Sequence, residues 1–130
     1  MRLDAGNLAT LHSVGGDAFV RQIVSLFLND APERAERMKC AVAAGDGAAI
    51  ERAAHSIRGS CGAFGANDLT NLCREVECLV RDGRVAEAGA QVDTIVREVQ
   101  EVCTALSAHV GLGSDASPIE NASTRVDPLS

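Results

Sequence analysis

Apolar residues recur at helical spacing along much of the chain, and no stretch alternates between apolar and polar positions as a half-buried strand does. One stripe consists of Ile50, Ala54, Ile57 and Cys61. A second consists of Leu69, Leu72, Cys73, Val76, Leu79 and Val80, and it lies on one face of an amphipathic helix. The pattern therefore predicts an all-α protein.

Glycine and proline divide the first part of this pattern. The pair Gly15-Gly16 is expected to separate a short N-terminal helix from a long helix that reaches about Ala44. The apolar stripe of the long helix includes Leu26. Pro32 is expected to bend this helix, because a proline inside a helix removes a hydrogen bond and clashes with the preceding turn.

Three further helices follow. Asp46 and Asn67 are each expected to cap the helix that begins after them, and the last helix is expected to begin near Val85. Four main helices joined by short turns predict an antiparallel up-down four-helix bundle, with the short N-terminal helix as an extra element, over residues 1–110. Residues 111–130 are rich in Gly, Ser, Asp and Pro without periodicity, so we expect a disordered C-terminal tail.

Composition narrows the classes of partner. The chain has three Phe and neither Trp nor Tyr, so it lacks the aromatic platforms of base-stacking nucleic-acid modules. Its formal net charge of −6 argues against binding polyanions or anionic lipid. No apolar run is long enough to span a membrane, and the N-terminus lacks the apolar stretch of a signal peptide. We expect a cytoplasmic protein that binds neither nucleic acid nor membrane.

The cysteines, two of the histidines and several charged residues are interpreted as having structural roles and no chemical one. The five cysteines cannot all pair within one chain, and four of them are expected on apolar helix faces, with Cys78 outside. His12 and His109 complete no zinc-ligand spacing and are interpreted as surface residues. We interpret four charged residues as part of a solvated helix face: Arg74, Glu75, Glu77 and Arg81.

His55 is different, because it points roughly 130° away from the stripe that buries its helix. The residues near it on this outer face are Glu51, Arg52, Arg58, Gly59 and Gly62. A glycine inside a helix costs about 1 kcal/mol relative to alanine. The bare backbone at Gly59 is therefore interpreted as room for the close approach of another macromolecule.

An exposed histidine beside a cation suits phosphoryl chemistry. Neutral imidazole is a good nucleophile near neutral pH. Phosphoryl transfer to an acceptor depends mainly on positioning and on charge neutralisation. Arg58 is the candidate for stabilising the phosphoryl group.

Residues 54–66, AHSIRGSCGAFGA, resemble the signature of histidine phosphotransfer (HPt) domains, which reads roughly A-H-x-L-K-G-S-S-x-x-(apolar)-G-A. The resemblance extends upstream through residues 27–34 and downstream into the LCREVE stretch with Glu77, and it covers about residues 10–105. Two positions depart from the pattern. Arg58 stands where the family usually has Lys, and Cys61 where Ser or Ala is commoner.

The resemblance implies a four-helix bundle in a bacterial two-component phosphorelay. His55 would accept a phosphoryl group from the aspartate of a response-regulator receiver domain, or of a hybrid sensor kinase, and pass it to another receiver. The docking surface would include Gly59, Gly62, Glu51 and Arg52. We expect a monomer with no cofactor of its own, because the Mg²⁺ of the reaction belongs to the receiver. The sequence carries no ATP-binding signature, so no ATP-dependent kinase activity is expected.

Two alternatives come from other functional classes. The first is a helical-bundle adaptor or inhibitor that binds a receiver or kinase without carrying phosphate, and the retained His55 and Gly59 argue against it. The second is a bundle that holds haem or two metal ions. The inward stripes carry no Glu-x-x-His pairs and the sequence has no Cys-x-x-Cys-His motif, which argues against the second.

Overall fold

The computed structural model describes residues 3–111, and the expected tail lies outside them apart from its first residue. The helices are α1 (Ala5–Ala44), α2 (Gly47–Cys61), α3 (Asn67–Arg81) and α4 (Val85–His109), with a single 3₁₀ turn, Gly62–Phe64, after α2. Residues 3–111 contain no strand. Helix α2 packs against α1 and α3, and α4 packs against the same two helices. Because the connections are short, neighbours run antiparallel, and the predicted all-α bundle is confirmed.

The first helix is divided where the sequence predicts. Gly16 adopts φ 80° and ψ 179°, a conformation that favours glycine, and the segment before it is the short N-terminal helix. The helix after Gly16 continues through Pro32 with helical dihedral angles and ends at Ala44, where Gly45 is left-handed with φ 67°. Leu26 on this helix is 56% exposed, so its placement on the buried stripe is wrong.

The helix caps agree with the prediction at one position and differ at another. Asp46 caps α2, because its carboxylate accepts a hydrogen bond from the backbone N–H of Ala49 at 3.1 Å. The prediction for Asn67 is wrong, since Asn67 is already the first residue of α3 and Ala66 is the N-cap. Left-handed Gly65 ends the 3₁₀ turn and brings the buried Ala66 to the start of α3, so the helix begins one residue early.

The core is aliphatic, as the composition requires. Its largest fully buried apolar side chains are Met38, Ile50, Ile57, Leu69, Ile95 and Leu106. Phe27 and Phe64 meet edge to face with their ring centroids 5.6 Å apart. Three cysteines rather than four contribute to the core: Cys61 and Cys73 are buried and Cys103 is half-buried, whereas Cys40 and Cys78 are exposed. None of the helices in residues 3–111 combines the length and the hydrophobicity needed to cross a membrane.

Candidate functional site

His55 projects from the middle of α2 into solvent. Its side chain is 69% exposed, whereas Ile50, Ala54 and Ile57 on the opposite face are fully buried. The predicted direction of His55 is therefore confirmed. This follows from the 3.6-residue period of the helix, which turns His55 away from the apolar stripe.

Glu77 of α3 lies beneath His55, and its side chain is only 2% exposed. Its Oε1 is 3.3 Å from Nδ1 of His55. Arg58 donates to the same carboxylate, from Nε to Oε2 at 2.6 Å and from Nη2 to Oε1 at 3.3 Å. The carboxylate thus joins the histidine and the arginine that the sequence singles out.

The sequence interpretation of Glu77 as part of a solvated face is wrong. Glu77 follows Cys73 by one helical turn, so it lies on the side of α3 that packs against α2. Charged residues are rarely buried unless they are paired, and the pairing partners here belong to another helix. A weak signal was present, because Glu77 falls within the stretch that resembles the HPt pattern.

Opposing effects set the charge of Glu77. Burial raises the pKa of its carboxyl group, but hydrogen bonds from Arg58 and His55 and the charge of Arg58 lower the pKa below its ordinary value overall. The same contact with Glu77 raises the pKa of Arg58. Glu77 is therefore a carboxylate at neutral pH.

This carboxylate selects the tautomer of His55. A carboxylate can only accept hydrogen bonds, so the contact with Glu77 is satisfied when Nδ1 of His55 carries the ring proton. Nη2 of Arg58 lies 3.2 Å from that nitrogen, and both N–H groups converge on Oε1. Nε2 of the neutral ring then carries the lone pair.

Arg81 extends the cluster toward the surface. Its Nη2 lies 3.4 Å from Oε1 of Glu77, and its Nε donates to Oε2 of Glu51 at 2.6 Å. Glu51, one of the predicted docking residues, is therefore held in an ion pair. Arg52, another of them, is exposed.

Two grooves flank the outer face of α2. The first, of about 630 Å³, is bordered by His55, Glu51, Arg34, Arg37, Arg52 and Arg81, so four arginines face one carboxylate there. The second, of about 380 Å³, is mainly apolar and is bordered by Leu11, Phe19, Ile23, Leu26, Ala63 and Phe64. Gly59 and Gly62 are exposed, and a Cβ atom added at either would meet nothing within 4 Å.

The chain is similar to known proteins in both sequence and structure. The profile of the Hpt domain family matches residues 22–109. The crystal structure of histidine-containing phosphotransfer protein B from Pseudomonas aeruginosa PAO1 superposes with a TM-score of 0.78 and 30% sequence identity, over 84% of this chain and 94% of that chain. No curated protein matches the sequence.

Proposed function

As the chain belongs to the family of Hpt domains, we propose that His55 is the residue that carries its phosphoryl group. The chain is a histidine phosphotransfer protein of a phosphorelay, and such domains interact with receiver domains and kinases. The observation that carries the assignment is the contact between His55 and the buried carboxylate of Glu77. That contact leaves Nε2 of an exposed ring as the nucleophile.

The proposed transfer begins with an attack by Nε2 of His55 on the phosphorus of a receiver's aspartyl phosphate. The P–N bond forms as the P–O bond to the aspartate breaks, and the aspartate leaves as a carboxylate. The ring keeps its Nδ1 proton and gains positive charge, which the carboxylate of Glu77 stabilises. Transfer to the aspartate of a second receiver reverses these steps.

Arg58 acts in two ways in this proposal. Its Nε and Nη2 hold Glu77 in its charged form. The Arg58 side chain is 30% exposed, and its Nη1 donates no hydrogen bond to the described residues. We assign that part of the guanidinium group to the incoming phosphoryl group.

The proposed docking surface surrounds His55. Gly59 and Gly62 allow a partner backbone to approach, and the apolar groove beside them accepts apolar side chains of the receiver. Arg52 lies on the other side, in the arginine-rich groove. Glu51 contributes by positioning Arg81, to which it is paired.

Further proposals concern the metal ion, the assembly and the compartment. Mg²⁺ prefers oxygen ligands. The carboxylate that contacts His55, Glu77, and the carboxylate that borders the same groove, Glu51, are both engaged by arginines. The Mg²⁺ would therefore be held by the receiver. The chain would act as a monomer in the cytoplasm, where its free cysteines stay reduced. The phosphoryl group would come from a partner, since the sequence has no ATP-binding signature.

The test uses a receiver domain phosphorylated on its aspartate, with Mg²⁺ present. We expect the purified chain to acquire a label that is stable in base and labile in acid. The His55→Gln variant should acquire none, whereas the matched His109→Gln variant should be labelled like the parent. Equal labelling of His55→Gln, or no labelling of the parent, would contradict the proposal. A parent that binds the receiver without becoming labelled would favour the adaptor alternative.

A further inference from the structure

Two histidines that we interpreted from the sequence as separate surface residues meet at the end of the bundle where α1 begins and α4 ends. Nε2 of His12 is 2.9 Å from Nε2 of His109, although 97 positions separate them in the chain. Their ring centroids are 5.1 Å apart and the ring planes meet at 58°. Nδ1 of His12 is 2.8 Å from Oδ1 of Asp17.

We propose that His12 and His109 form a binding site for a divalent late transition-metal ion such as Zn²⁺. Asp17 accepts a hydrogen bond from Nδ1 of His12, and this leaves the lone pair of His12 on Nε2, directed at His109. A carboxylate on the far nitrogen of the ring is the usual device that orients a metal-ligating histidine.

The separation of the two nitrogens is close to what one ion requires. Zinc binds imidazole nitrogen at about 2.0–2.1 Å in tetrahedral geometry, which places two such nitrogens about 3.3 Å apart. The pair therefore needs to open by about 0.4 Å. This is a small tilt of two rings at the surface, because the side chain of His12 is 33% exposed and His109 is exposed.

A metal ion would take the place of a proton. Without metal, one Nε2 must carry a hydrogen and donate it to the other. Because His12 holds its lone pair on Nε2, that hydrogen is on Nε2 of His109. On binding, the ring proton of His109 passes through solvent to its Nδ1, so both Nε2 atoms turn lone pairs to the ion and both rings stay neutral. Within residues 3–111 no group of three or more His, Cys, Asp or Glu side chains could hold a metal. Water therefore fills the remaining positions, and the site is weaker than a four-ligand zinc site.

Binding would join the two ends of the folded chain. His12 precedes the kink at Gly16, Asp17 follows it, and His109 is the last residue of α4. The ion would therefore fix the short N-terminal helix against α4. An ion that binds the folded chain and not the unfolded one raises the unfolding temperature in proportion to the logarithm of its concentration.

The experiment titrates the full chain with Zn²⁺ by calorimetry and follows thermal unfolding by circular dichroism. We expect one ion per chain and a rise in Tm that a chelator reverses. Binding should weaken at least tenfold in His12→Gln and in His109→Gln, and about tenfold in Asp17→Asn. Circular dichroism of each variant without metal shows that it is folded.

Two control variants separate this site from other possible ligands. The His55→Gln variant and the double variant Cys40→Ser, Cys78→Ser, which removes the two exposed thiols, should bind Zn²⁺ like the parent. Equal binding by His109→Gln, loss of binding in the double cysteine variant, or no binding by the parent would overturn the proposal. These measurements involve no phosphoryl transfer, so their outcome is independent of the proposed role of His55.

Discussion

Replacing Glu77 with glutamine removes one negative charge from beneath His55 and keeps the size of the side chain. The side chain is 2% exposed, and its Oε2 accepts a hydrogen bond from Nε of Arg58 at 2.6 Å. A hydrogen bond to a charged group contributes about 1.5–3 kcal/mol. Burying a neutral amide costs less desolvation free energy than burying a carboxylate, and this offsets part of the loss. We therefore expect Glu77→Gln to lower the free energy of unfolding by about 2 kcal/mol at pH 7.

The loss should depend on pH with a definite sign. Burial raises the pKa of Glu77, but the contacts with Arg58 and His55 bring it below the ordinary value of 4.5 in the folded chain. The stabilisation is therefore fully present above pH 4.5 and is lost as the pH falls through the lower folded pKa. Once Glu77 is protonated it resembles glutamine in charge. The difference between parent and variant should then approach zero.

Urea unfolding followed by circular dichroism at pH 7 and at pH 3.5 measures this difference. The matched control is Glu87→Gln, because the pKa of Glu87 is also lowered by an arginine, Arg84, but its side chain is 56% exposed. Solvent screens exposed pairs, so the control should change stability much less. A loss in Glu77→Gln that is the same at both pH values, or no loss at pH 7, would refute the reasoning.

Three further predictions concern the site and the core. Arg58→Ala should raise the pKa of the Glu77 carboxyl group, which NMR of the carboxyl carbon can follow. It should also slow phosphoryl transfer more than Arg58→Lys, which keeps the charge. Equal rates in the two variants would contradict the role of the charge. Gly59→Gln should keep its helicity and slow transfer at least tenfold. Gly59→Ala should also stay folded, because a single Cβ meets nothing within 4 Å in the chain itself, and it should slow transfer less than Gly59→Gln. Unchanged transfer in Gly59→Gln would exclude a close approach there. In the folded chain a thiol reagent should modify the exposed Cys40 and Cys78 rapidly and the other three cysteines slowly. Cys61 and Cys73 are buried, and burial raises the pKa of Cys103 to about 11. Rapid modification of all five would show that the core opens easily.

Local sequence signals were enough for most of the fold. Glycine pairs and aspartates that can cap a helix act within one or two turns, so the kink at Gly16 and the cap at Asp46 were predictable from neighbouring residues. The cap at Asn67 was not, because the 3₁₀ turn ahead of it changes where α3 begins. Leu26 was misplaced because an apolar residue at the edge of a stripe is buried only if another element covers it.

At the functional site, too, local sequence patterns predicted only part of the arrangement. The sequence by itself determined that His55 faces outward with Arg58 and Gly59 near it, because helical periodicity relates residues on a single helix. Only the tertiary structure decided that Glu77 of α3 lies beneath His55 and that His12 meets His109. Both contacts join residues far apart in the chain. Their geometry depends on how whole helices pack, which no local pattern of residues specifies.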